Sequence, residues 1–150
     1  MDEQQYKNTY KDINPHRCVF EKAINSRVCN CSKSQRFNLA DREGVACNST
    51  AALERCMQFI TLLREKARFT LQQVEASQKL PHAQEIKIQN GGLIGLQTHT
   101  SDQKTERIED IHTLLLTAEK KCIKLDKLPY SKIMQTVSTY SIRKRRNKPD

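Results

Sequence analysis

A stripe of apolar residues in the middle of the chain predicts one long helix. Its members recur at steps of three and four between residues 50 and 76, the spacing that places side chains on one face of an α-helix. Thr50 is a good N-cap residue, and Pro81 lies just beyond the expected end. Such a face normally packs against a core, so every side chain on it is expected to point inward. The stripe consists of Leu53, Cys56, Met57, Ile60, Leu63, Ala67, Leu71 and Val74.

Weaker patterns predict three more helices and a hairpin around this helix. Helical spacing indicates a short helix over about residues 16–27, another over about 102–123, and a last one from Ser131 to about 143. Residues 85–97 alternate apolar and polar side chains on both sides of Asn90-Gly91-Gly92, which predicts a β-hairpin. Residues 29–48 are polar and are expected to be irregular. The predicted fold class is mainly α, a single helical-bundle-like domain with one small β-hairpin at about residues 85–97.

The length of 150 residues corresponds to one domain. Residues 1–14 are polar and lack a period, so we expect a flexible N-terminal arm. Residues 15–142 are expected to form a single helical domain with a cysteine-rich N-terminal part, followed by a basic tail over 143–150. Hydrophobic residues make up 37% and there is no Trp, so the core is expected to be lean. A bound metal or a partner protein would add to the stability of such a domain.

The cysteines are concentrated in the first third of the chain. Five of the six lie between residues 18 and 56. No stretch approaches the roughly 20 apolar residues of a membrane span, and the first residues are polar without a signal-peptide core, so we expect no transmembrane segment and a cytoplasmic location. Disulfides are rarely stable there, and thiols at this density more often bind metal or perform redox chemistry.

Four of these cysteines are candidate ligands of one metal centre: Cys18, Cys31, Cys47 and Cys56. Cys29 is the alternative to Cys31, because a Cys-x-Cys pair is tighter than the spacing typical of zinc sites. An unbroken helix would hold Cys18 and Cys29 about 16 Å apart, so the chain has to turn back after residue 27. The helix start near Thr50 favours thiolate, the form that binds metal.

The ligand spacing favours an iron–sulfur cluster over zinc. Zinc sites usually present two short Cys-x₂-Cys or Cys-x₂-His hooks, which this sequence lacks. A cluster tolerates ligands that arrive singly from separate elements. Zinc is the alternative cofactor, and reduced cysteines without metal are a third interpretation. Cys122 lies on the inner face of its predicted helix and indicates core packing. His16 could complete the set in place of Cys31, whereas His112 lies off the inner face and suggests no site.

Charge suggests how the protein would meet a partner. Lys and Arg number 26 against 17 Asp and Glu, a net charge of +9. The tail carries a dense group of cations that could bind phosphates, an anionic membrane surface or an acidic protein. Basic residues near the cysteines would offset the charge of a thiolate-ligated cluster and could dock an acidic partner. The tail cations are Arg143, Lys144, Arg145, Arg146 and Lys148, and those near the cysteines include Arg17, Arg27, Lys33, Arg36 and Arg55.

Two functions follow from these features. The first is a small cytoplasmic iron–sulfur protein that acts in electron transfer or redox sensing with a larger protein partner. The alternative is a basic helical binding or adaptor module, zinc-stabilised or metal-free, that contacts nucleic acid or an acidic protein through its tail. The sequence carries no serine-nucleophile elbow and no zinc-hydrolase His-Glu pair, which favours a protein that is not an enzyme.

Overall fold

The computed structural model describes residues 2–71, 80–101 and 105–141. These residues form six α-helices and one two-stranded antiparallel hairpin, which confirms the predicted fold class of mainly α with one small hairpin. The elements in chain order are α1 (Glu3–Ile13), α2 (Glu21–Asn25), β1 (Ser34–Leu39), β2 (Arg42–Cys47), α3 (Thr50–Thr70), α4 (His82–Thr100), α5 (Ile111–Cys122) and α6 (Tyr130–Thr139), with a short 3₁₀ turn at Leu125–Lys127.

Helix α3 is the long helix that the apolar stripe predicts. Its N-cap is Ser49 and not Thr50, because the Ser49 side chain accepts a hydrogen bond of 3.1 Å from the Ala52 amide. Of the stripe, Ile60, Leu63 and Ala67 are buried, whereas Met57 is exposed. Phe59, beside the stripe, is buried as well. The predicted continuation to residue 76 lies outside the described residues.

The prediction of a hairpin over residues 85–97 is wrong, because this segment belongs to α4. Its glycines allow close helix packing and do not form a turn. A Cβ atom on Gly91 would lie 2.8 Å from the Cα of Val137 in α6, and one on Gly95 would lie 3.2 Å from the Cα of Ile133. Helix α4 also contacts α2, α3 and α5, so it is buried on nearly every side. A helix buried in this way shows no polar face, which hides its period.

The hairpin lies instead over residues that were expected to be irregular. Strands β1 and β2 pair in antiparallel register, with Leu39 opposite Arg42 and Ser34 opposite Cys47. Ala40 and Asp41 form the two-residue turn, and both have positive φ angles, 51° and 70°. Positive φ at both central positions defines a type I′ turn, which matches the twist of the strands.

The segments before β1 also differ from the predictions. The lack of regular structure expected for residues 1–14 is wrong: α1 begins with a capping box between Asp2 and Gln5, and Tyr10 is buried. Helix α2 is shorter than the predicted 16–27, because residues 16–18 run beside β2 and bond to it. The chain turns at Arg27, whose φ is 69°, as the sequence argument about residue 27 requires.

The last two helices lie near their predicted positions. Helix α5 starts at Ile111 and not near residue 102, because residues 108–111 extend along the segment around Cys29. Residues 102–104 of the expected helix lie outside the described ranges. Helix α6 buries Ile133, Met134 and Val137, as its pattern predicts. Among the described helices, none combines the length and apolar composition that crossing a membrane requires.

Candidate functional site

Four cysteines from separate segments line one small cavity. These are Cys18, Cys31, Cys47 and Cys56, and His112 lies in the same wall. The rest of the wall is largely apolar and includes Val19, Phe20, Ala52, Leu53 and Ile111. The cavity measures about 20 Å³, which is room for about one water-sized occupant. The structure thus brings the four candidate ligands of the sequence analysis to one place.

Backbone pairing with β2 places Cys18 beside Cys47. The Cys18 amide donates to the Val45 carbonyl at 3.0 Å, and the Cys47 amide donates to the His16 carbonyl at 2.8 Å. Residues 16–18 therefore act as a short third strand at this end of the hairpin. The two cysteines come from distant parts of the sequence, and the antiparallel pairing of residues 16–18 with residues 45–47 sets their separation.

A tight turn directs Cys31 toward the same cavity. Its carbonyl accepts from the Ser34 amide at 3.2 Å and from the Ser34 hydroxyl at 2.7 Å. The preceding residue, Asn30, exchanges backbone hydrogen bonds with Ile108 and Ile111, both at 2.9 Å. These bonds fasten the Cys31 segment to the start of α5, which supplies Ile111 and His112 to the cavity wall.

Helix α3 delivers the fourth cysteine. Cys47 is followed by the Ser49 cap, and the first turns of the helix place Ala52, Leu53 and Cys56 in the wall. The starts of α3 and α5 therefore both lie at the cavity. Helix starts carry free amide groups and a partial positive charge, which favour thiolates and other anions.

Burial favours the protonated form of the Cys18, Cys31 and Cys56 thiols, because it raises the pKa of each. Burial raises the pKa of Cys18 to about 12, and the neighbouring Cys31 and Cys47 sulfurs add to the effect, while the Phe20 amide opposes it. The pKa of Cys56 is raised by burial first and then by the Cys18, Cys31 and Cys47 sulfurs. The four sulfurs therefore lie within electrostatic reach of one another. A bound cation would reverse this balance, because metal binding takes the thiolate and releases the proton.

Amide groups already face two of the sulfurs, those of Cys31 and Cys18. Burial raises the pKa of Cys31, but the backbone N–H groups of Lys33 and His112 point at its sulfur and lower it again. A similar N–H from Phe20, two residues after Cys18, faces that sulfur. Amide groups placed two residues after a cysteine stabilise a charged sulfur, and hydrogen bonds of this kind set the potential of sulfur-ligated iron.

The thiols as they stand are not in a metal-binding arrangement. The Cys47 thiol donates to the Ser49 carbonyl at 3.2 Å. Across the described ranges, no three His, Cys, Asp or Glu side chains are placed so that they could hold a metal ion. Metal binding at this cavity would require the thiols to rotate about their side-chain bonds, which staggered rotamers permit.

The remaining two cysteines lie away from the cavity. Cys29 is buried in the apolar core, where burial raises the pKa of its thiol to about 12, and its backbone bridges to Ile108. The structure therefore brings Cys31, and not Cys29, to the other three cysteines. Cys122 ends α5 and packs against the core as a partly buried residue.

His112 is the member of this constellation that sequence reasoning missed. It follows the Asp110 cap and Ile111, off the inner face of α5, and lines the cavity only because α5 starts beside the Cys31 segment. No local motif marks that tertiary contact. His16, considered as a ligand from its position near Cys18, is exposed and contributes its backbone carbonyl instead.

Most of the cations proposed to surround the site are already paired. Arg17 lies 2.6 Å from Glu21, Arg27 lies 2.9 Å from Glu43 and Arg36 lies 3.7 Å from Glu43. Arg55 lies 2.9 Å from Glu119, whereas Lys33 lines the cavity. The cations of the predicted tail, Arg143, Lys144, Arg145, Arg146 and Lys148, lie outside the described residues.

A wider cleft of about 770 Å³ lies beside Cys18. Its charged groups are largely committed to one another: Arg17 pairs with Glu21, and Arg64 pairs with Glu85 at 2.7 Å. Of the described cysteines, it includes Cys18 alone. This cleft is larger than the cysteine cavity, but the convergence of reactive side chains favours the cavity as the functional site.

Comparison with known proteins gives no relative. The chain has no significant match to a protein-family model, a curated protein or a solved structure.

Proposed function

We propose that this protein holds an iron–sulfur cluster on Cys18, Cys31, Cys47 and Cys56. The observation that supports the proposal is the convergence of these four thiols, from four separate segments, on one cavity. Cysteine is among the most buried residue types for packing reasons alone. Packing, however, distributes cysteines through a core, as at Cys29, and has no reason to collect four of them around one space.

The surroundings of the cavity suit an anionic centre. A cluster with four thiolate ligands carries net negative charge, which the starts of α3 and α5, the amides that face Cys18 and Cys31, and Lys33 would all stabilise. Each ligand comes from its own segment, without the short paired hooks of common zinc sites. Because the cavity is small, the side chains would have to turn away from its centre to admit a cluster.

The cluster would serve electron transfer or redox sensing beside a larger partner. The metal centre would perform the redox step, while hydrogen bonds to sulfur and solvent access would set its potential. The protein's net charge of +9 suits an acidic partner surface and would speed the encounter.

Anaerobic purification followed by visible absorption and analysis for iron, sulfide and zinc tests the proposal. A brown protein with iron and sulfide in matching amounts is the expected result. Zinc without iron would overturn the cluster and leave a structural metal site. A folded protein free of all three would overturn both, and would leave the basic binding function, whose test is a steep salt dependence of nucleic-acid binding that is lost when residues 143–150 are removed.

Single substitutions test the ligand assignment. Replacing Cys18, Cys31, Cys47 or Cys56 by Ser should each remove most of the iron and the visible absorption. Cys29→Ala and Cys122→Ser are the matched controls, because both residues lie outside the cavity wall, and both variants should retain iron. Loss of iron from Cys29→Ala with retention in Cys31→Ser would contradict the assignment.

A further inference from the structure

Two arginine side chains are held in place in the wall of the cleft beside Cys18. Arg17 contacts Glu21 Oε1 through Nε at 2.8 Å and through Nη2 at 2.6 Å. Arg64 contacts the Glu85 carboxylate through Nε at 3.2 Å and through Nη2 at 2.7 Å. Each guanidinium group therefore meets its glutamate along one edge. Within the described ranges neither Nη1 group takes part in a hydrogen bond, so each arginine keeps N–H donors for a ligand.

The two carboxylates that hold these arginines are buried and fixed by the fold. Glu21 and Glu85 are each 7% exposed. Glu21 accepts from the Val45 amide at 2.7 Å, and Glu85 accepts from the Gln89 side-chain amide at 2.8 Å. Gln89 in turn accepts from the Ala23 amide at 3.0 Å. A short chain of hydrogen bonds thus joins Glu85 to a residue two positions after Glu21, so the two arginines are anchored close together in one wall.

The cleft carries more positive than negative charge. The Lys22 ammonium lies 2.8 Å from His82 Nδ1. Because an ammonium can only donate, His82 Nδ1 is the acceptor, and Lys22 has further N–H groups for another partner. Four cationic side chains line the cleft against two carboxylates, an excess of two positive charges. The cations are Arg17, Lys22, Arg64 and Arg68, and the carboxylates are those of Glu21 and Glu85.

We propose that this cleft binds the phosphate group of a small phosphate monoester through Arg17, Arg64 and Lys22. Such a group carries a charge of about −2 near neutral pH, which complements the excess of positive charge. Guanidinium groups bind phosphate oxygens through parallel pairs of N–H bonds, and fixed guanidinium groups lose little freedom on binding. The inference goes beyond the proposed function and requires no metal.

The size and the remaining wall of the cleft suit the organic part of such a ligand. The volume of about 770 Å³ lies within the range of small-molecule sites, about 300–1,000 Å³. Val19 and Leu80 line the same cleft and pack against the core as partly buried residues. Their apolar side chains would contact the organic group while the cations hold the phosphate.

A purely structural role explains the two arginine pairs less well. Desolvation offsets most of the attraction within a buried ion pair, so such pairs add little net stability. Arg55 forms a comparable pair with Glu119 at 2.9 Å, and neither residue lines the cleft. This pair supplies a matched control for substitutions of Arg17 and Arg64.

The test measures binding of phenyl phosphate to the full chain by isothermal titration calorimetry at constant ionic strength. Phenyl sulfate, which has a similar shape and less negative charge, is the comparison ligand. Arg17→Lys and Arg64→Lys keep the positive charge and remove the planar fork, and Arg55→Lys makes the same change outside the cleft. Lys22→Gln removes one charge from the cleft, and Lys120→Gln, at an exposed position late in α5, is its control.

We expect wild type to bind phenyl phosphate more tightly than phenyl sulfate. Arg17→Lys and Arg64→Lys should each weaken phenyl phosphate binding about tenfold, because an ammonium cannot replace two parallel N–H bonds. Lys22→Gln should weaken it about threefold, and the two control variants should bind as wild type does.

Three results would overturn the inference. The first is no binding of phenyl phosphate to wild type at about 10 mM ligand. The second is equal affinity for phenyl phosphate and phenyl sulfate. The third is wild-type affinity in Arg17→Lys and Arg64→Lys, which would mean that diffuse positive charge attracts the anion without a built site.

A measurement on the wild type covers the case in which the arginine variants do not fold. Phenyl phosphate should shift the Nε–H resonances of Arg17 and Arg64 in a proton–nitrogen correlation spectrum and leave that of Arg55 unchanged. Shifts of equal size in all three resonances, or in none, would contradict the proposed site.

Discussion

The packing of α4 against α6 and the wall of the cysteine cavity are held together by different means. At the α4–α6 interface, Gly91 and Gly95 bring two backbones into contact, and the apolar side chains of Ile133 and Val137 are fully buried. At the cavity, short segments are joined by single backbone hydrogen bonds, such as those of Cys18, Cys47 and Asn30. The first region is dense and regular, and the second is assembled from ends of elements.

This difference indicates which region a bound group would stabilise. Close helix packing contributes its stability whether or not anything binds. The cavity wall contains four thiols, together with a His112 Nδ1 atom that has no hydrogen-bond partner among the described residues. These groups would add more to stability with a bound ligand than without one. We therefore expect the α4–α6 packing to hold the fold of the metal-free protein, and the cavity region to become more rigid when the proposed metal binds. Three substitutions outside the cavity wall test the contrast.

The largest effect is expected from Gly91→Ala in α4. A Cβ at this position would lie 2.8 Å from the Cα of Val137 and 3.2 Å from the Cβ of Tyr140, and backbone in α6 cannot move without displacing the helix. The clash outweighs the gain in helix propensity, about 1 kcal/mol. We expect a net loss of about 2 kcal/mol in the free energy of unfolding, measured by urea denaturation.

Gly92→Ala is the matched control for this prediction. Its Cβ would meet the Leu63 side chain, with Cδ1 at 2.6 Å, and a leucine side chain can change rotamer where backbone cannot. The loss should be under about 1 kcal/mol. Under the proposed function, both variants should keep the iron content of wild type, since neither residue lies in the cavity wall. Equal losses in the two variants would contradict the view that backbone contact dominates this interface.

The second prediction concerns Tyr10, which is linked to Cys18 of the cavity wall through a chain of hydrogen bonds. Its hydroxyl donates to Glu21 Oε2, and that oxygen also accepts from the Val45 amide at 2.7 Å. The Val45 carbonyl in turn accepts from Cys18. The Tyr10 hydroxyl also accepts from Asn14 Nδ2 at 2.9 Å, so Tyr10→Phe removes two hydrogen bonds. The loss should be about 1.5 kcal/mol near neutral pH, because Glu21 keeps Val45 and Arg17 as partners and Asn14 keeps the Val45 carbonyl.

The effect of Tyr10→Phe should also depend on pH. Burial, followed by the hydrogen bond to Glu21, raises the pKa of Tyr10 to about 12 from 10.0. A group whose pKa is raised on folding contributes stability that is complete below its unfolded pKa and is lost as pH rises through the folded pKa. The difference in free energy of unfolding between wild type and Tyr10→Phe should therefore decrease as the pH rises above 10. Unfolding free energies at pH 8 and pH 11 measure it, with Tyr6→Phe as the control on the same helix.

The sequence predicts those parts of the fold whose signals are local. Helix α3 and the inner face of α6 follow from apolar spacing, because each has one face on the core and one in solvent. Helix α4 lacks that contrast, since residues 88–97 are all buried, and its Asn-Gly-Gly run resembles a turn. The actual turn, Ala40-Asp41, carries no glycine and gives no such signal.

The sequence predicts the four cysteines of the candidate site but not its histidine. Cysteine chemistry and a turn after residue 27 suffice to propose Cys18, Cys31, Cys47 and Cys56 as neighbours. His112 joins them through the hydrogen bonds between residues 28–32 and 108–111, which link segments about 80 positions apart in the chain. Contacts at that separation depend on the whole fold, so spacing within one segment cannot reveal them.

The smallest effect is expected from a substitution in the hairpin turn. The hairpin belongs to the cavity region and not to the α4–α6 interface. Ala40 has a φ of 51°, a left-handed conformation that costs an alanine roughly 1 kcal/mol and an asparagine less. Ala40→Asn should therefore stabilise the protein by about 0.5 kcal/mol, measured by urea denaturation.

The hairpin carries Cys47 and pairs with the backbone of Cys18. If a bound metal orders the hairpin, Ala40→Asn should stabilise the metal-free protein more than the metal-loaded protein. Asp41→Gly, with φ of 70° at the second turn position, should act in the same direction. A gain of the same size with and without metal would mean that the hairpin is already fully formed before binding. That outcome would remove the distinction between a packed region that folds alone and a cavity region that its ligand completes.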